Sequence, residues 1–247
     1  MALVNGHPVF ARNYFTRLDF SKNFAQKQGV KVPDNISQSV YNSLVNEEKN
    51  SQIAHKNKIF LSSKEINDEF QRQVQNNDQA GGSSFADMLK GYDITEGFYK
   101  KNIIGPRLIL DKLNIWYNKQ TDLNKFAYDT AASLKTKIEK GENFEGLAKK
   151  FSQDQASSLV EGDLGFVEIP KLLPELQEQL DGVKPGELKL IPSRFGLHLI
   201  KVVETDNNGP QNSSRVHLQQ IFIKTTGFDD WLLNEQSKIK VKQIVKV

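Results

Sequence analysis

The chain has 247 residues, of which 38% are hydrophobic and 26% are charged, and this composition is typical of a globular protein with one large or two small domains. The formal net charge is only +3, and its basic and acidic residues are interspersed, so a concentrated basic face for nucleic acid is not expected. Cysteine is absent, which excludes disulfides, thiolate metal sites and a cysteine nucleophile.

The sequence also gives no reason to expect a cofactor or a bound metal. Three of its four histidines show no partner pattern typical of metal ligands: His7, His55 and His217. No apolar run approaches the ~18–20 residues that a membrane-spanning helix needs. We therefore expect contact with a membrane only through a leader or anchor that this sequence does not contain.

The first third of the chain is predicted to be helical after a short strand. Residues 4–9 are predicted to form that strand, with an Asn-Gly turn signal inside it. A helix is predicted to begin at Ser62 or Ser63, because Glu65 follows two or three residues later in the manner of a capping box. Another is predicted after Thr95, a suitable capping residue, and Pro106 is expected to kink or break it.

Aromatic residues recur at helical spacing close to the N-terminus. They are predicted to form either part of a hydrophobic core or a groove for a client polypeptide: Phe10, Tyr14, Phe15, Phe20 and Phe24.

A second unit is predicted to begin near Leu113. Residues 113–117 are rich in strand-forming side chains and are predicted to be a strand. Two helices follow, the second of which begins after Asn143. Later strands are predicted at 163–168, 188–192 and 197–203. Within about a hundred residues, this order of elements indicates a small α+β domain.

The last part of the chain contains a linker and further elements. Residues 207–212 have the composition of a linker. A strand at 216–223 and a helix at 228–239 are predicted beyond it. The closing strand, 241–247, has no local partner, so we expect it to pair with residues 4–9. We interpret the strand at 216–223 as the return path towards that unit.

Several motifs follow one another along the second unit. They are Phe144-x-x-Leu147-Ala148, Phe151-Ser152-x-Asp154, Gly162-Asp163-Leu164-Gly165, Pro185-Gly186-Glu187 and Phe195-Gly196-Leu197-His198. Their order and spacing together resemble those of the parvulin-type peptidyl-prolyl isomerases. The flanking segments resemble the helical module of SurA/PrsA-like extracytoplasmic foldases. This resemblance implies an α+β fold in which a helical SurA-N-like chaperone domain, 1–112 plus 213–247, holds an inserted parvulin-like α+β domain, 113–206.

The resemblance also implies the residues of a catalytic site. Parvulins have two histidines on adjacent strands and a Cys or Asp beside them. The second histidine corresponds to His198 and the Cys or Asp position to Asp154, while Ser193 stands where Ser or Thr is common. Asn114 occupies the position of the first histidine, which is a departure from the family pattern.

The expected substrate contacts are apolar. Leu172, with an uncertainty of one residue, stands at the Met or Leu position that contacts the prolyl ring, and Phe195 is a further expected contact. Leu176 replaces the phenylalanine that the resemblance predicts there, and leucine stacks poorly on a prolyl ring.

Some of these residues also have structural interpretations. His198 could be a hydrogen-bonded core histidine, and Asp154 could end a helix or bind turn amides. The segment 216–224 also resembles a parvulin opening strand with Gln220 at the histidine position. It would be a remnant of a second rotamase unit or the return strand, and we favour the return strand.

The resemblance implies an extracytoplasmic chaperone or foldase, in the periplasm or at the cell surface, that binds unfolded or proline-containing polypeptides. The departures at Asn114 and Leu176 predict weak or absent isomerase activity. The alternatives are an active isomerase and a non-catalytic adaptor that binds one fixed partner, because a fold does not by itself define a function.

Overall fold

The computed structural model describes residues 2–79, 84–206 and 215–244. The strands are β1 (Ala2–Val4), β2 (His7–Val9), β3 (Asp163–Glu168), β4 (Leu188–Pro192), β5 (Gly196–Asp206), β6 (Arg215–Lys224) and β7 (Val241–Gln243). The helices are α1 (Ala11–Lys27), α2 (Ile36–Lys56), α3 (Ser63–Gln79), α4 (Phe85–Gly91), α5 (Glu96–Tyr99), α6 (Gly105–Asn118), α7 (Lys125–Glu139), α8 (Phe144–Phe151), α9 (Gln155–Leu159), α10 (Pro174–Leu180) and α11 (Phe228–Ser237). The mixture of helix and sheet confirms the α+β class.

The chain divides into two compact units, and both chain ends belong to the first. This unit comprises 1–113 and 229–247. Its small sheet has the order β2-β1-β7, and Val4 pairs with Val241 in antiparallel register. The prediction that the closing strand returns to the N-terminal strand is therefore confirmed for its described residues, although it pairs with β1 alone; residues 245–247 lie outside the described ranges.

Local sequence signals explain how the helices of the first unit begin. Glu65 accepts hydrogen bonds from the backbone N–H and hydroxyl of Ser62, and Ser62 Oγ in turn accepts one from the backbone of Glu65 at 3.2 Å. Thr95 caps α5 by accepting from the backbone N–H of Phe98. The expected distortion before Pro106 is a π-helical turn over Lys100–Ile104, which precedes α6.

The second unit, residues 114–228, is built on a four-stranded antiparallel sheet of order β3-β6-β5-β4. Side chains of successive residues point to opposite faces, so the two inner strands contribute to two separate cores. The α7–α8 face contains Ala127, Ala131, Leu134, Phe144, Leu147, Ala148, Leu197, Leu199, Ile221 and Ile223. The α10 face contains Leu176, Leu180, Val183, Ile191, Ile200, Val202, Val216 and Leu218.

Two predictions about this unit were wrong. Residues 113–117 lie in helix α6 rather than in a strand, and the buried pair Leu113 and Tyr117 has the four-residue spacing of a helix face. The strand predicted as a return path is β6, which pairs with β3 and β5 at the centre of the sheet. Consequently the second unit extends to Phe228, and not only to 206. The predicted linker, 207–212, lies outside the described residues.

Candidate rotamase site

Three buried polar side chains form a hydrogen-bonded chain at one end of the α10 face. Ser193 Oγ lies 2.8 Å from Nε2 of His198, and Nδ1 of the same ring lies 2.8 Å from Oε1 of Gln220. Their exposed fractions are 0%, 6% and 8% respectively. Such a set of groups is tolerable in an apolar interior because each finds a partner within the set.

The register of the two central strands brings this chain together. His198 on β5 lies opposite Phe222 on β6, so their side chains share a face of the sheet. Gln220 is two residues from Phe222 along β6 and therefore projects to the same face. The β5–β6 pairing thus places Gln220 beside His198.

The hydrogen bonds define which nitrogen of His198 carries the proton in the neutral ring. A carbonyl oxygen can only accept, so Nδ1–H donates to Oε1 of Gln220. Nε2 is then unprotonated and accepts from the hydroxyl of Ser193. The Ser193 oxygen also accepts from the backbone N–H of Phe195 at 3.0 Å. The three side chains are therefore uncharged, and their hydrogen bonds all run in one direction, from Ser193 to His198 and from His198 to Gln220.

Burial keeps His198 neutral. Removal of the ring from water lowers its pKa below the ordinary value of 6.5. The hydrogen bond to Gln220 and the negative charges of Glu175 and Asp154 act in the opposite direction, but they do not compensate fully. At neutral pH the site therefore contains an imidazole rather than an imidazolium.

The Gly162-Asp163-Leu164-Gly165 motif fixes the backbone of Gln220. The carbonyl of Gly162 accepts from the backbone N–H of Gln220 at 2.8 Å. Gly162 has a φ of +84°, and a Cβ at this position would lie 2.7 Å from the Cβ of Ala148 and 2.8 Å from the carbonyl oxygen of Gln220. Only glycine permits this approach, so the turn and the polar chain are one structural unit.

Two phenylalanines border the polar chain. The ring of Phe222 lies 5.0 Å from the ring of His198, measured between centroids. Gly196 makes room for it, because a Cβ there would lie 3.0 Å from Cζ of Phe222. Phe195, a predicted substrate contact, is 58% exposed. Apolar surface is therefore available next to the polar chain.

The other predicted substrate contacts lie in the core of the α10 face. Leu176 is only 4% exposed and belongs to that core, while Leu172 and Leu173 are partly buried against it. Leu176 has little surface to offer a ligand.

Asp154 is close enough to His198 to affect its pKa, but its hydrogen bond is local. Its carboxylate caps α9 by accepting from the backbone N–H of Ser157 at 3.2 Å. Its effect on His198 is electrostatic, since its negative charge favours the protonated ring. The structure thus shows Asp154 bonded to a backbone amide, as one alternative interpretation expected, but at the start of α9 and not at the end of a helix.

The expected place of Asn114 was wrong. It lies on α6 and not on a strand beside β5, and its Oδ1 accepts from Nδ2 of Asn118 at 3.2 Å. Asn118 Nδ2 also donates to the carbonyl of Ser193 at 2.8 Å. Gln220, on the strand beside His198, occupies the place assigned to Asn114.

Sequence reasoning noted Gln220 but missed Asn118 and Glu175. The local pattern of 216–224 did signal Gln220, although its position in the chain argued against a role in this sheet. Within the described ranges, no group of three or more His, Asp or Glu side chains could hold a metal ion. Over the same residues, none of the helices is long and apolar enough to cross a membrane.

Comparisons with known proteins identify a domain type in this part of the chain. The family model described as the PPIC-type PPIASE domain matches residues 107–206. The "Foldase protein PrsA" of Caldanaerobacter subterraneus is 27% identical over 184 residues, which cover 70% of this chain and 59% of that protein. The "Chaperone SurA" of Nitrosospira multiformis is 34% identical over 111 residues, which cover 43% of this chain and 25% of that protein.

A crystal structure of the peptidylprolyl isomerase PrsA from Bacillus anthracis matches 79% of this chain and 85% of its own, with 19% identity and a TM-score of 0.25. This chain spans a third to about three fifths of the length of the two PrsA relatives first matched. The family match ends at residue 206, before β6, which supplies Gln220 to the site. Residues 107–206 thus match a PPIC-type, or parvulin-type, rotamase domain, and the chain is similar to the PrsA foldases and SurA chaperones that these comparisons name.

Proposed function

We propose that this chain is an extracytoplasmic foldase that binds proline-containing segments of unfolded polypeptides and isomerises their X-Pro bonds slowly. The observation that carries the proposal is the Ser193–His198–Gln220 chain bordered by Phe195 and Phe222. It combines fixed polar groups with apolar surface, which is the combination that a prolyl amide requires.

Isomerisation breaks no covalent bond and has to overcome ~18–20 kcal/mol of amide resonance. An enzyme accelerates it by binding the twisted amide better than either planar form. In this site the aromatic surface would hold the pyrrolidine ring, while the oriented hydroxyl and imidazole would interact with the rotating amide. No charged group and no cofactor takes part in this mechanism.

The same geometry argues for slow turnover. Ser193 is fully buried and His198 nearly so, hence little of the polar chain is available to a substrate. Gln220 provides a hydrogen-bond acceptor but, unlike a histidine, cannot change its charge. Leu176 leaves no aromatic ring at the position where the family pattern predicts one.

A peptide assay tests the catalytic part of this proposal. The cis-to-trans rate of an Ala-Pro tetrapeptide would be measured with the wild-type chain, with His198→Ala and with Lys171→Ala, an exposed control in the same unit. We expect a measurable acceleration that His198→Ala abolishes and that Lys171→Ala leaves unchanged. Equal rates with and without the wild-type chain would refute the catalytic part.

The aromatic residues of α1 favour a second activity, which is the holding of unfolded chains. Phe10 precedes this helix and Phe15 and Phe24 lie on it, and they are 60%, 58% and 43% exposed. Tyr14 in the same predicted stripe is buried, so the stripe contributes to both the core and the surface. Exposed apolar side chains on one helix are suited to transient contact with many unfolded segments.

Aggregation assays with several unrelated denatured proteins test this second activity. We expect the wild-type chain to suppress aggregation of all of them and the double substitution Phe15→Ser/Phe24→Ser to suppress it less. Phe126→Ser is the matched control, because Phe126 is 84% exposed in the other unit. Suppression limited to one protein would instead support an adaptor with a fixed partner.

A further inference from the structure

A largely buried ion pair joins α10 to the turn between β4 and β5. Glu175 Oε1 accepts from Nε and from the backbone N–H of Arg194, each at 3.1 Å, and Oε2 accepts from Nη2 at 3.2 Å. The side chains of Glu175 and Arg194 are 9% and 17% exposed. Both carboxylate oxygens are thus used, and one bond reaches the main chain next to Ser193.

Stability alone is a weak explanation for this pair. Removing two charges from water costs much of what their attraction returns, and apolar residues of similar size often serve a core equally well. Apolar residues could not, however, bind the N–H of Arg194 or determine the direction of its side chain. The geometry therefore indicates a role in fixing the turn.

Neighbouring contacts hold the same turn from the other side. Nδ2 of Asn118 donates to the carbonyl of Ser193, and the N–H of Ser193 donates to the carbonyl of Gly196, both at 2.8 Å. With Arg194 held by Glu175, the main chain before and after the Ser193 side chain is fixed. Its hydroxyl then points to Nε2 of His198.

We propose that Glu175 is a positioning residue that acts through Arg194 to hold the hydroxyl of Ser193 against His198. Glu175 makes no hydrogen bond to the imidazole of His198; apart from the electrostatic effect of its charge on that ring, it acts through Arg194. The expected change in isomerisation rate rests on the isomerase activity proposed above. The expected change in the surroundings of the His198 ring does not.

The test compares the whole wild-type chain with substituted forms of it. Glu175→Ala removes all three bonds to Arg194, while Glu175→Gln keeps an oxygen that can accept from the backbone of Arg194. Asp206→Ala is the matched control, since it breaks an ion pair with Arg215 at the opposite end of β5. The measurements are the ¹⁵N signals of the His198 ring, the isomerisation rate and the thermal midpoint.

We expect Glu175→Ala to shift the Nε2 signal of His198 and to lower kcat/KM by about tenfold, because small displacements of an active group reduce rates strongly. Glu175→Gln should restore most of the wild-type Nε2 signal and most of kcat/KM. Asp206→Ala should change neither the signal nor kcat/KM. Unchanged ring signals in folded Glu175→Ala would overturn the proposal. If the wild-type chain has no isomerase activity, the isomerase proposal fails. The ring signals of His198 still test the positioning role of Glu175 in that case.

Glu175→Ala leaves the charge of Arg194 partly buried and could prevent folding. The double substitution Glu175→Leu/Arg194→Leu avoids that problem, because it replaces the pair with apolar groups. We expect this variant to fold with a shifted Nε2 signal. A wild-type signal in this variant would likewise contradict the positioning role.

Discussion

At the scale of single residues, the site depends on an amide where the family pattern has a histidine. Gln220 can accept from Nδ1 of His198 but carries no charge at any pH. Since burial also keeps the imidazole neutral, the chain from Ser193 to Gln220 is a set of oriented dipoles. Its contribution would come from orientation and exclusion of water rather than from proton transfer.

The first prediction concerns Gln220. Gln220→Leu preserves the approximate size of the side chain but leaves Nδ1–H of His198 buried without its acceptor, so we expect a loss of about 1–3 kcal/mol in the free energy of unfolding. Gln220→Glu retains an acceptor for Nδ1–H of His198, so its free energy of unfolding should fall less than that of Gln220→Leu. Urea denaturation of the three proteins measures the difference, and equal stability of the Leu variant and the wild type would contradict the assigned bond.

The second prediction concerns pH. Burial lowers the pKa of His198 in the folded state, so below the ordinary value of 6.5 the unfolded chain binds a proton more readily. The contribution of His198 to stability is therefore complete above pH 6.5 and declines as the pH falls towards the folded-state pKa. His198→Gln should show a smaller loss of stability between pH 7.5 and pH 5. Parallel pH profiles for both proteins would exclude this burial effect.

At the scale of elements, β6 is the unexpected component. It lies between β3 and β5, although it follows all the other strands of its sheet in the chain. The family match to 107–206 covers β3, β4 and β5 but not this central strand. Without β6, the edges of β3 and β5 that it covers would expose unpaired backbone groups and the apolar residues of both cores.

This position leads to the third prediction. A fragment of residues 105–228 should fold independently, whereas a fragment of 105–206 should aggregate or remain unfolded, because it lacks the strand that joins the two halves of the sheet. Circular dichroism and thermal unfolding of the two fragments test this. A cooperative transition in the shorter fragment would show that β6 is dispensable.

The same strand shows where prediction from the sequence ends. Helix caps such as Thr95 and strands such as 163–168 follow from local residue patterns, and the structure confirms them. The pairing partners of β6 depend on contacts between distant residues, which local patterns do not encode. The prediction of a strand at 113–117 was wrong for another reason. These residues combine strand-forming composition with helical spacing, and the burial of Leu113 and Tyr117 on one face stabilises the helix.

At the scale of the whole molecule, the chain leaves its first unit, forms the second and returns to complete the first. The N–H of Asn5 donates to the carbonyl of Lys240 at 2.8 Å, and Oδ1 of Asn5 accepts from the N–H of Lys240 at 3.0 Å. Ile239 packs against the core that contains Ala2 and Val4. The sheet of the first unit therefore depends on residues that follow the whole second unit in the chain.

The final prediction follows from this order. Removal of residues 238–247 eliminates β7, the contacts of Asn5 with Lys240 and the packing of Ile239, so we expect the first unit to become less stable and more sensitive to proteases. The second unit should keep the isomerase rate proposed for it, because its sheet contains none of these residues. Lys242→Ala is the control, since it leaves the backbone pairing of β7 with β1 intact. Hydrogen exchange would show the loss of protection confined to the first unit, and uniform loss across both units would indicate that the two unfold together.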